Sequence, residues 1–229
     1  MDKKILAKYL DFANHNQGAT EADIKILCQK VIEYGFHTAF VNPYYISLAK
    51  GLLGGQGAVG TVVSFPLGQE SREIKMASAI WAVKSGADEL DVSMNVGLFK
   101  DKKYDEGLNE MKMIVFNVKE LGKNSIVKFI IETGCLTDEE IKKASELVLL
   151  SGADFVKTCS GMGPRGASLK DVELIKSVVG EKIKVKVAGG VVNLDQAMGF
   201  IQAGVSRIGT SHAIDIVEGI KNSKQENSE

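Results

Sequence analysis

The strongest constraint on the fold is a regular alternation of short apolar segments with longer segments of helical periodicity. Eight of the short segments have the length and apolar content of buried β-strands. They are Tyr9–Ala13, Thr38–Asn42, Val59–Ser64, Glu89–Ser93, Ile126–Glu132, Phe155–Thr158, Ile183–Val187 and Arg207–Gly209. Strands that alternate with helices at this spacing predict βα units and a parallel sheet.

Residues that begin and end helices lie between the predicted strands. Thr137 and Glu140 are spaced as a capping box, and Gly152 follows at the expected end of that helix. The sequence Ser-Gly-Ala-Asp at 151–154 then leads into a strand, and the same four residues recur at 85–88. Repeated use of one helix-to-strand joint is typical of a chain built from βα units.

The number of units distinguishes two α/β architectures. Eight units in 229 residues allow about 29 residues each, which fits a (β/α)8 barrel at the small end of its size range. An open doubly wound sheet shares the alternation, but no GxGxxG follows the first predicted strand. We therefore predict a single-domain α/β chain with a (β/α)8 TIM barrel over residues 1–220. The polar residues 221–229 are expected to form a disordered tail.

Composition and charge exclude several classes of function. A formal net charge of -1 without basic or acidic runs argues against a nucleic-acid partner, and no apolar stretch approaches the length of a membrane span. Cys28, Cys135 and Cys159 are odd in number and lack CxxC spacing, which predicts free thiols and a cytoplasmic location. Neither the cysteines nor the three histidines have the spacing of a metal site, so no metal is expected.

Several predicted strands carry polar residues on one face only. Asp91 alternates with Leu90 and Val92 on the fourth strand, while Lys157 and Lys186 lie near the ends of the sixth and seventh. If the apolar faces pack on outer helices, the polar faces point into the barrel, where a buried charge needs a partner or a function. A structural ion-pair network, such as one between Asp91 and Lys128, is one interpretation. Clustering at the carboxyl ends of strands, where barrels hold their active sites, favours catalysis.

Two lysines with an aspartate are suited to Schiff-base chemistry. An amine attacks a carbonyl only when it is unprotonated, and lowering its pKa from about 10.4 to about 7.5 requires roughly 4 kcal/mol. A second ammonium about 4.5 Å away contributes roughly 3.7 kcal/mol at an effective dielectric of 20, and burial adds to this. We therefore predict Lys157 as the nucleophile, activated by Lys186, with Asp91 holding Lys186 charged and moving protons.

Glycine-containing turns after the last two strands predict a phosphate site. Gly189 and Gly190 follow the seventh strand, and Gly209 and Ser211 follow the eighth. These are the positions at which barrels commonly bind phosphate through backbone N–H groups and a helix start. Arg165, in the loop after Lys157, is either a further anion donor or a solvated loop charge.

Several motifs together resemble the deoxyribose-phosphate aldolase family of class I aldolases, over nearly the whole chain. They are Val156-Lys157-Thr158-Cys159-Ser160-Gly161, Lys186-Val187-Ala188-Gly189-Gly190, Glu89-Leu90-Asp91-Val92, Val41-Asn42-Pro43, Phe65-Pro66-Leu67-Gly68, Ile131-Glu132-Thr133-Gly134 and Gly209-Thr210-Ser211. The resemblance implies reversible cleavage of 2-deoxy-D-ribose 5-phosphate to D-glyceraldehyde 3-phosphate and acetaldehyde. It implies a lyase of carbohydrate catabolism that needs neither cofactor nor metal, and whose partners are small phosphorylated sugars and aldehydes.

The resemblance also implies roles for individual residues. Lys157 would form the Schiff base, and Asp91 and Lys186 would transfer protons. Asp11 is similar to the aspartate that the family has at the end of its first strand, and it would help to organise substrate hydroxyls. The full set of substrate-binding residues implied in this way is Asp11, Ser160, Gly189, Gly190, Gly209 and Ser211.

The chain departs from the family pattern at a few positions, which leaves its substrate open. Phe12 and Ala13 stand where relatives often have histidine and threonine, and Cys159, Met162 and His212 also differ. A lysine aldolase for another phosphorylated aldol therefore remains an alternative. A non-catalytic phosphate-binding barrel and an isomerase with Asp91 or Glu132 as its base are further alternatives. Homo-oligomerisation is left open by the sequence.

Overall fold

The computed structural model describes residues 1–225, with side chains described as far as residue 220. Within this part of the chain, eight parallel strands form a closed barrel in chain order, β1 to β8. The strands are β1 (Leu10–Asn14), β2 (Thr38–Val41), β3 (Ala58–Val63), β4 (Glu89–Ser93), β5 (Ile126–Ile130), β6 (Phe155–Lys157), β7 (Lys184–Ala188) and β8 (Arg207–Thr210). The predicted (β/α)8 barrel is confirmed.

Helices precede the first strand, lie between successive strands and follow the last one, and they cover the outside of the barrel. They are α1 (Lys3–Ala7), α2 (Glu21–Tyr34), α3 (Ile46–Leu53), α4 (Arg72–Lys84), α5 (Val96–Lys100), α6 (Tyr104–Leu121), α7 (Asp138–Ser151), α8 (Leu169–Val179), α9 (Leu194–Gln202) and α10 (Ala213–Gln225). The predicted capping box at Thr137 and Glu140 begins α7, and Gly152 ends it with a left-handed φ of 80°. Within residues 1–225, no helix is both long and apolar enough to cross a membrane.

The repeated helix-to-strand joint has a structural reason. Asp154, which ends the joint before β6, accepts a hydrogen bond at its Oδ2 from the backbone N–H of Val127, 2.8 Å away on the neighbouring strand. Asp88, at the equivalent joint before β4, accepts one from Val59 at 2.9 Å. Each aspartate therefore ties the start of its strand to the strand beside it.

The two faces of each strand separate the apolar core from the polar interior. On β4, Leu90 and Val92 belong to the apolar core that includes the helices, while Asp91 is fully buried inside the barrel. Lys184, at the opposite end of the barrel from the predicted site, is exposed.

The structure shortens three predicted strands, β5 by the most residues, and extends one helix. β5 ends at Ile130 rather than at Glu132, because Glu132 has a left-handed φ of 54° that a strand does not accommodate. α10 runs to Gln225 and crosses the boundary expected at residue 220. Residues 226–229 of the predicted tail lie outside the described residues.

Candidate active site

A single carboxylate in the middle of the barrel joins three lysines. Oδ2 of Asp91 lies 2.8 Å from Nζ of Lys157 and 2.8 Å from Nζ of Lys186. Oδ1 of the same carboxylate lies 3.0 Å from Nζ of Lys128. All four residues are buried. The three residues predicted to carry the chemistry therefore meet at one oxygen atom.

Strand register explains why these side chains meet. Lys157 on β6 pairs with Lys186 on β7, so both lie at the same height and on the same face of the sheet. Asp91 on β4 pairs with Lys128 on β5, one layer below. Because both nitrogens lie 2.8 Å from one oxygen, those of Lys157 and Lys186 are at most twice that distance apart.

The surroundings lower the pKa of Lys157, as an attacking amine requires. Burial is the largest cause, because it disfavours the charged ammonium; Asp91 opposes it, and the charge of Lys186 adds to it. The larger share was expected from Lys186, but burial contributes more. Burial also acts to raise the pKa of Asp91, but the ammonium groups of Lys128, Lys157 and Lys186 outweigh it and hold that pKa well below its usual value.

Asp11 lies beside Lys186 inside the barrel. It is the second residue of β1 and fully buried, and it does not line the cavity described below. Its Oδ2 lies 2.6 Å from Nζ of Lys186, and its Oδ1 accepts a hydrogen bond from Arg207 at 3.0 Å. Burial raises its pKa, but Lys186 and Arg207 outweigh this and lower it to about 2. The oxygens of Asp11 face Lys186 and Arg207 rather than the cavity, and its contact with substrate hydroxyls stays a prediction.

Lys157 and Lys186 open onto a cavity of about 320 Å³ at the carboxyl ends of the strands. This volume is at the lower end of the range for small-molecule sites. The other predicted substrate-binding residues line it, namely Ser160, Gly189, Gly190, Gly209 and Ser211. Apart from Asp11, the structure therefore brings the predicted residues together around one cavity.

The glycines shape the cavity in two ways. Gly189 and Gly190 have left-handed φ values of 87° and 83°, which glycine adopts without strain. A Cβ at Gly209 would lie 3.1 Å from Cε of Lys186, so glycine at this position leaves room for the lysine side chain. Gly209 is thus tied to the lysine pair as well as to the predicted phosphate site.

Arg165 is not directed at the cavity. Its guanidinium donates to both carboxylate oxygens of Asp171, at 2.6 and 2.8 Å, and to the backbone oxygen of Thr133 at 3.2 Å. These contacts hold the loop after β6 against the start of α8. Of the two interpretations of Arg165, the structure supports neither the anion donor nor a free solvated charge.

Sequence reasoning missed an aromatic wall and an imidazole. Phe40 on β2 lies under the lysines, with its ring centroid 3.8 Å from Nζ of Lys186 and 5.9 Å from Nζ of Lys157. The ring centroid of Phe65 lies 5.8 Å from Nζ of Lys157. The His15 ring packs against the rings of both Phe40 and Phe65. These rings supply much of the apolar surface that buries Lys157. Phe40 was hidden within an apolar strand, and His15 carried no motif.

One group of side chains could in principle hold a metal ion. Ligand atoms of Asp11, His37 and Glu89 lie within 4.8 Å of one another. The two carboxylates already face Lys186, Arg207 and Lys128. A divalent cation would have to compete with these buried positive charges, so the donor set does not fit a metal centre.

The chain resembles known aldolases in sequence and in fold. A family model described as DeoC/LacD family aldolase matches residues 1–211. The chain is 46% identical to a deoxyribose-phosphate aldolase of Thermococcus kodakarensis over 222 residues, 96% of this chain and 98% of the relative.

Solved structures give the same result. One described as QR15, an aldolase, is 39% identical, with a TM-score of 0.89 over 96% of this chain and 98% of that one. A tetrameric deoxyribose phosphate aldolase from Aeropyrum pernix is 29% identical, with a TM-score of 0.90 over 97% and 93% of the two chains. The family predicted from the sequence motifs is confirmed, and the chain belongs to the DeoC/LacD family of aldolases.

Proposed function

We propose that this protein is a class I aldolase that reversibly cleaves 2-deoxy-D-ribose 5-phosphate to D-glyceraldehyde 3-phosphate and acetaldehyde. One observation carries the proposal. The nitrogens of Lys157 and Lys186 share one oxygen of Asp91 and open onto a cavity that also contains the two glycine turns. Relatives named deoxyribose-phosphate aldolase, up to 46% identical over nearly the full chain, support the choice of substrate.

The first step joins the sugar to the protein. The unprotonated amine of Lys157 attacks the C1 aldehyde of the open-chain sugar, and a carbinolamine forms. Lys186, whose Nζ lies 2.6 Å from Asp11 and 2.8 Å from Asp91, donates a proton to the carbinolamine oxygen, and water leaves. The product is an iminium ion in which the positive charge on Nζ of Lys157 attracts electrons from the adjacent carbons.

The second step breaks the C2–C3 bond. The C3 hydroxyl loses its proton, the C2–C3 electron pair moves into the iminium, and glyceraldehyde 3-phosphate departs. The enamine left on Lys157 is protonated at C2, and water then hydrolyses the resulting imine to release acetaldehyde. Lys186, which gave its proton to the carbinolamine oxygen in the first step, accepts the C3 hydroxyl proton and passes it to C2, while Asp91 holds both lysines in place. The same steps in reverse form the C–C bond.

The remaining residues have binding and positioning roles in this proposal. Gly189, Gly190, Gly209 and Ser211 bind the phosphate through the turns after β7 and β8. Ser160 lines the same cavity and binds the substrate chain. Asp11 acts as a positioning residue, because it holds Lys186 from below at 2.6 Å.

An isomerase that uses a carboxylate base is a poorer fit to the geometry. Three lysines hold the pKa of Asp91 low, so this carboxylate is a weak base. Glu132 does not line the cavity, and its Oε2 accepts a hydrogen bond from the backbone N–H of Ser160 at 3.1 Å. Neither carboxylate is placed to abstract a proton from a substrate carbon.

The substrate is tested by comparing sugar phosphates with the purified protein. We expect acetaldehyde to be released from 2-deoxy-D-ribose 5-phosphate, with fructose 1,6-bisphosphate cleaved far more slowly. Cleavage of fructose 1,6-bisphosphate alone would favour the related lysine aldolase. No cleavage of either sugar would favour the non-catalytic phosphate-binding barrel.

Location and assembly are also proposals. Three free cysteines, two of them buried, are consistent with a reducing cytoplasm. The tetrameric aldolase from Aeropyrum pernix, at 29% identity, supports a homo-oligomer for this chain. Light scattering of the purified protein measures the molar mass, and a monomer at all concentrations would contradict the second proposal.

A further inference from the structure

A half-buried imidazole beside Lys157 takes no part in the steps above. His15 follows β1 directly and lines the cavity. Its Nδ1 is buried and has no hydrogen-bond partner among the residues that the structure describes. A buried polar atom without a partner is costly, and it is rare in folded proteins unless a ligand or water satisfies it.

The position of the ring relates His15 to the reacting amine. The centroid of the His15 ring lies 5.6 Å from that of Phe40 and 5.5 Å from that of Phe65. Nζ of Lys157 lies 5.9 and 5.8 Å from the same two centroids. His15 and Lys157 therefore lie close to the same two aromatic rings, and both line the cavity that would hold a sugar attached to Lys157.

The imidazole is neutral in this setting. Burial and then the charge of Lys157 lower the pKa of His15 to about 3; Lys186 acts in the same direction, and Asp91 and the Asn42 side chain oppose them. A neutral imidazole has one donor and one acceptor nitrogen, a combination that suits a hydroxyl group. It does not suit a phosphate, which prefers cations and backbone N–H groups.

Ala13, Asn14 and Asn16, next to His15 at the end of β1, also line the cavity. Ala13 lines the cavity without a polar side-chain atom, and Oδ1 of Asn14 accepts a hydrogen bond from the backbone N–H of Asn16 at 3.2 Å. Nδ1 of His15 is the unsatisfied atom in this segment.

We propose that His15 binds the C4 hydroxyl of the sugar and thereby selects acceptor aldehydes that carry a hydroxyl beside the carbonyl. This rests on the proposed function. The open-chain sugar has hydroxyls on C3 and C4 between the carbonyl carbon and the phosphate. The C3 hydroxyl loses its proton on cleavage, and a group as weakly basic as His15 is a poor acceptor for it. The C4 hydroxyl passes unchanged into glyceraldehyde 3-phosphate, so it needs only to be bound.

The test measures addition of acetaldehyde to two acceptors that differ by one hydroxyl. They are glyceraldehyde 3-phosphate and 3-oxopropyl phosphate, which lacks the hydroxyl beside the carbonyl. We compare the wild type with His15→Phe, which keeps a ring, and His15→Asn, whose amide reaches the position of Nδ1. The wild type should prefer the hydroxylated acceptor by about 10- to 100-fold in kcat/KM, since a site built to bind a hydroxyl discriminates against its absence.

The variants decide whether His15 causes this preference. In His15→Phe, kcat/KM for glyceraldehyde 3-phosphate should fall while that for 3-oxopropyl phosphate stays the same, so the preference is lost. His15→Asn should retain most of the preference. Equal losses on both acceptors, or none on either, would overturn the proposal. An Asn variant as impaired as the Phe variant would also overturn it, because ring shape would then be the cause.

Trapping separates this proposal from the one it rests on. Acetaldehyde has no hydroxyl, so its borohydride-reduced adduct on Lys157 should form equally in the wild type and in both variants. An untrapped wild type would overturn the Schiff-base function itself. Equal trapping with an unchanged acceptor preference in His15→Phe would overturn only the role of His15.

Discussion

Two buried lysines of this protein, Lys75 and Lys157, show what separates a structural amine from a reactive one. Lys75 on α4 is fully buried, and its Nζ donates to the backbone oxygens of Gly68 and Ser93, at 2.9 and 3.1 Å, and to Glu110 at 2.6 Å. An ammonium has three N–H donors, and here all three have acceptors.

Lys157 is buried to nearly the same degree but has fewer hydrogen-bond acceptors. Among the described residues its Nζ has one acceptor, Oδ2 of Asp91, which it shares with Lys186, and it faces the cavity. The charged form of a lysine needs an acceptor for each of its three N–H groups, which Lys75 has. At Lys157 burial and a second cation oppose that form, and its pKa is lowered. Burial alone therefore does not make a nucleophile, whereas burial with too few acceptors does.

The largest effect is expected where the reactive lysine is removed. Lys157→Leu should lower kcat for deoxyribose 5-phosphate cleavage by at least about 10⁴-fold, because the covalent path is lost. Asp91 keeps Lys128 and Lys186 as partners, so the fold should survive, as circular dichroism can check. Lys157→Arg is the matched control: it keeps the charge without a nucleophilic amine and should be equally inactive. Activity in either variant within tenfold of the wild type would contradict the role of Lys157.

Removal of the structural lysine should give the opposite result. Lys75→Met leaves Glu110 buried without its cation, which should cost about 3–5 kcal/mol of stability in urea denaturation. Turnover per folded molecule should stay close to that of the wild type. Lys75→Met combined with Glu110→Leu should recover most of the lost stability, since the unpaired charge is gone. A Lys75 variant that is stable but inactive would break the comparison.

The effect of the Lys186 charge on the pKa of Lys157 is tested by measuring the rate as a function of pH. The charge of Lys186 lowers the pKa of Lys157, so Lys186→Leu should raise that pKa and move the acid side of the rate profile to higher pH. Loss of proton transfer should also slow the reaction by about 10²- to 10³-fold. Lys186→Arg keeps the charge, and its acid side should stay near that of the wild type. An unmoved profile in Lys186→Leu would leave burial as the sole cause of the lowered pKa.

The smallest expected effect is thermal stabilisation by phosphate binding at the glycine turns of the active site. At ten times its dissociation constant, deoxyribose 5-phosphate should stabilise the protein by about 1.4 kcal/mol, which raises Tm by about 3–6 °C. Deoxyribose without phosphate, at the same concentration, is the control and should have little effect. Equal shifts with both sugars would argue against phosphate binding at Gly189 and Gly190.

Local sequence patterns predicted most of the fold. β4 was predicted with its correct bounds, because the alternation of Leu90 and Val92 with polar residues is a property of the strand itself. The end of β5 was missed, because the left-handed conformation of Glu132 depends on contacts with the loop after β6, such as the hydrogen bond from Ser160. Residues adjacent in sequence determine strand and helix patterns, whereas the conformation of Glu132 depends on residues that are distant in sequence.

The same distinction explains what could be predicted of the site. Lys157, Lys186 and Asp91 were found because charges on inward strand faces are unusual. The partners of Asp11 could not be read from the chain, since Arg207 is 196 residues away. His15 was missed because the position of its ring depends on packing against Phe40 in β2 and Phe65 after β3. Both residues are distant from His15 in sequence.

The most direct test of the difference between the two lysines is reductive trapping. The protein is incubated with acetaldehyde and borohydride, digested, and its peptides are mapped by mass spectrometry at increasing reagent concentration. We predict that the ethyl adduct forms first on Lys157 and is absent from the equally buried Lys75 under the same conditions. First modification of Lys75, Lys186 or a surface lysine, with Lys157 unmodified, would contradict the proposed origin of reactivity.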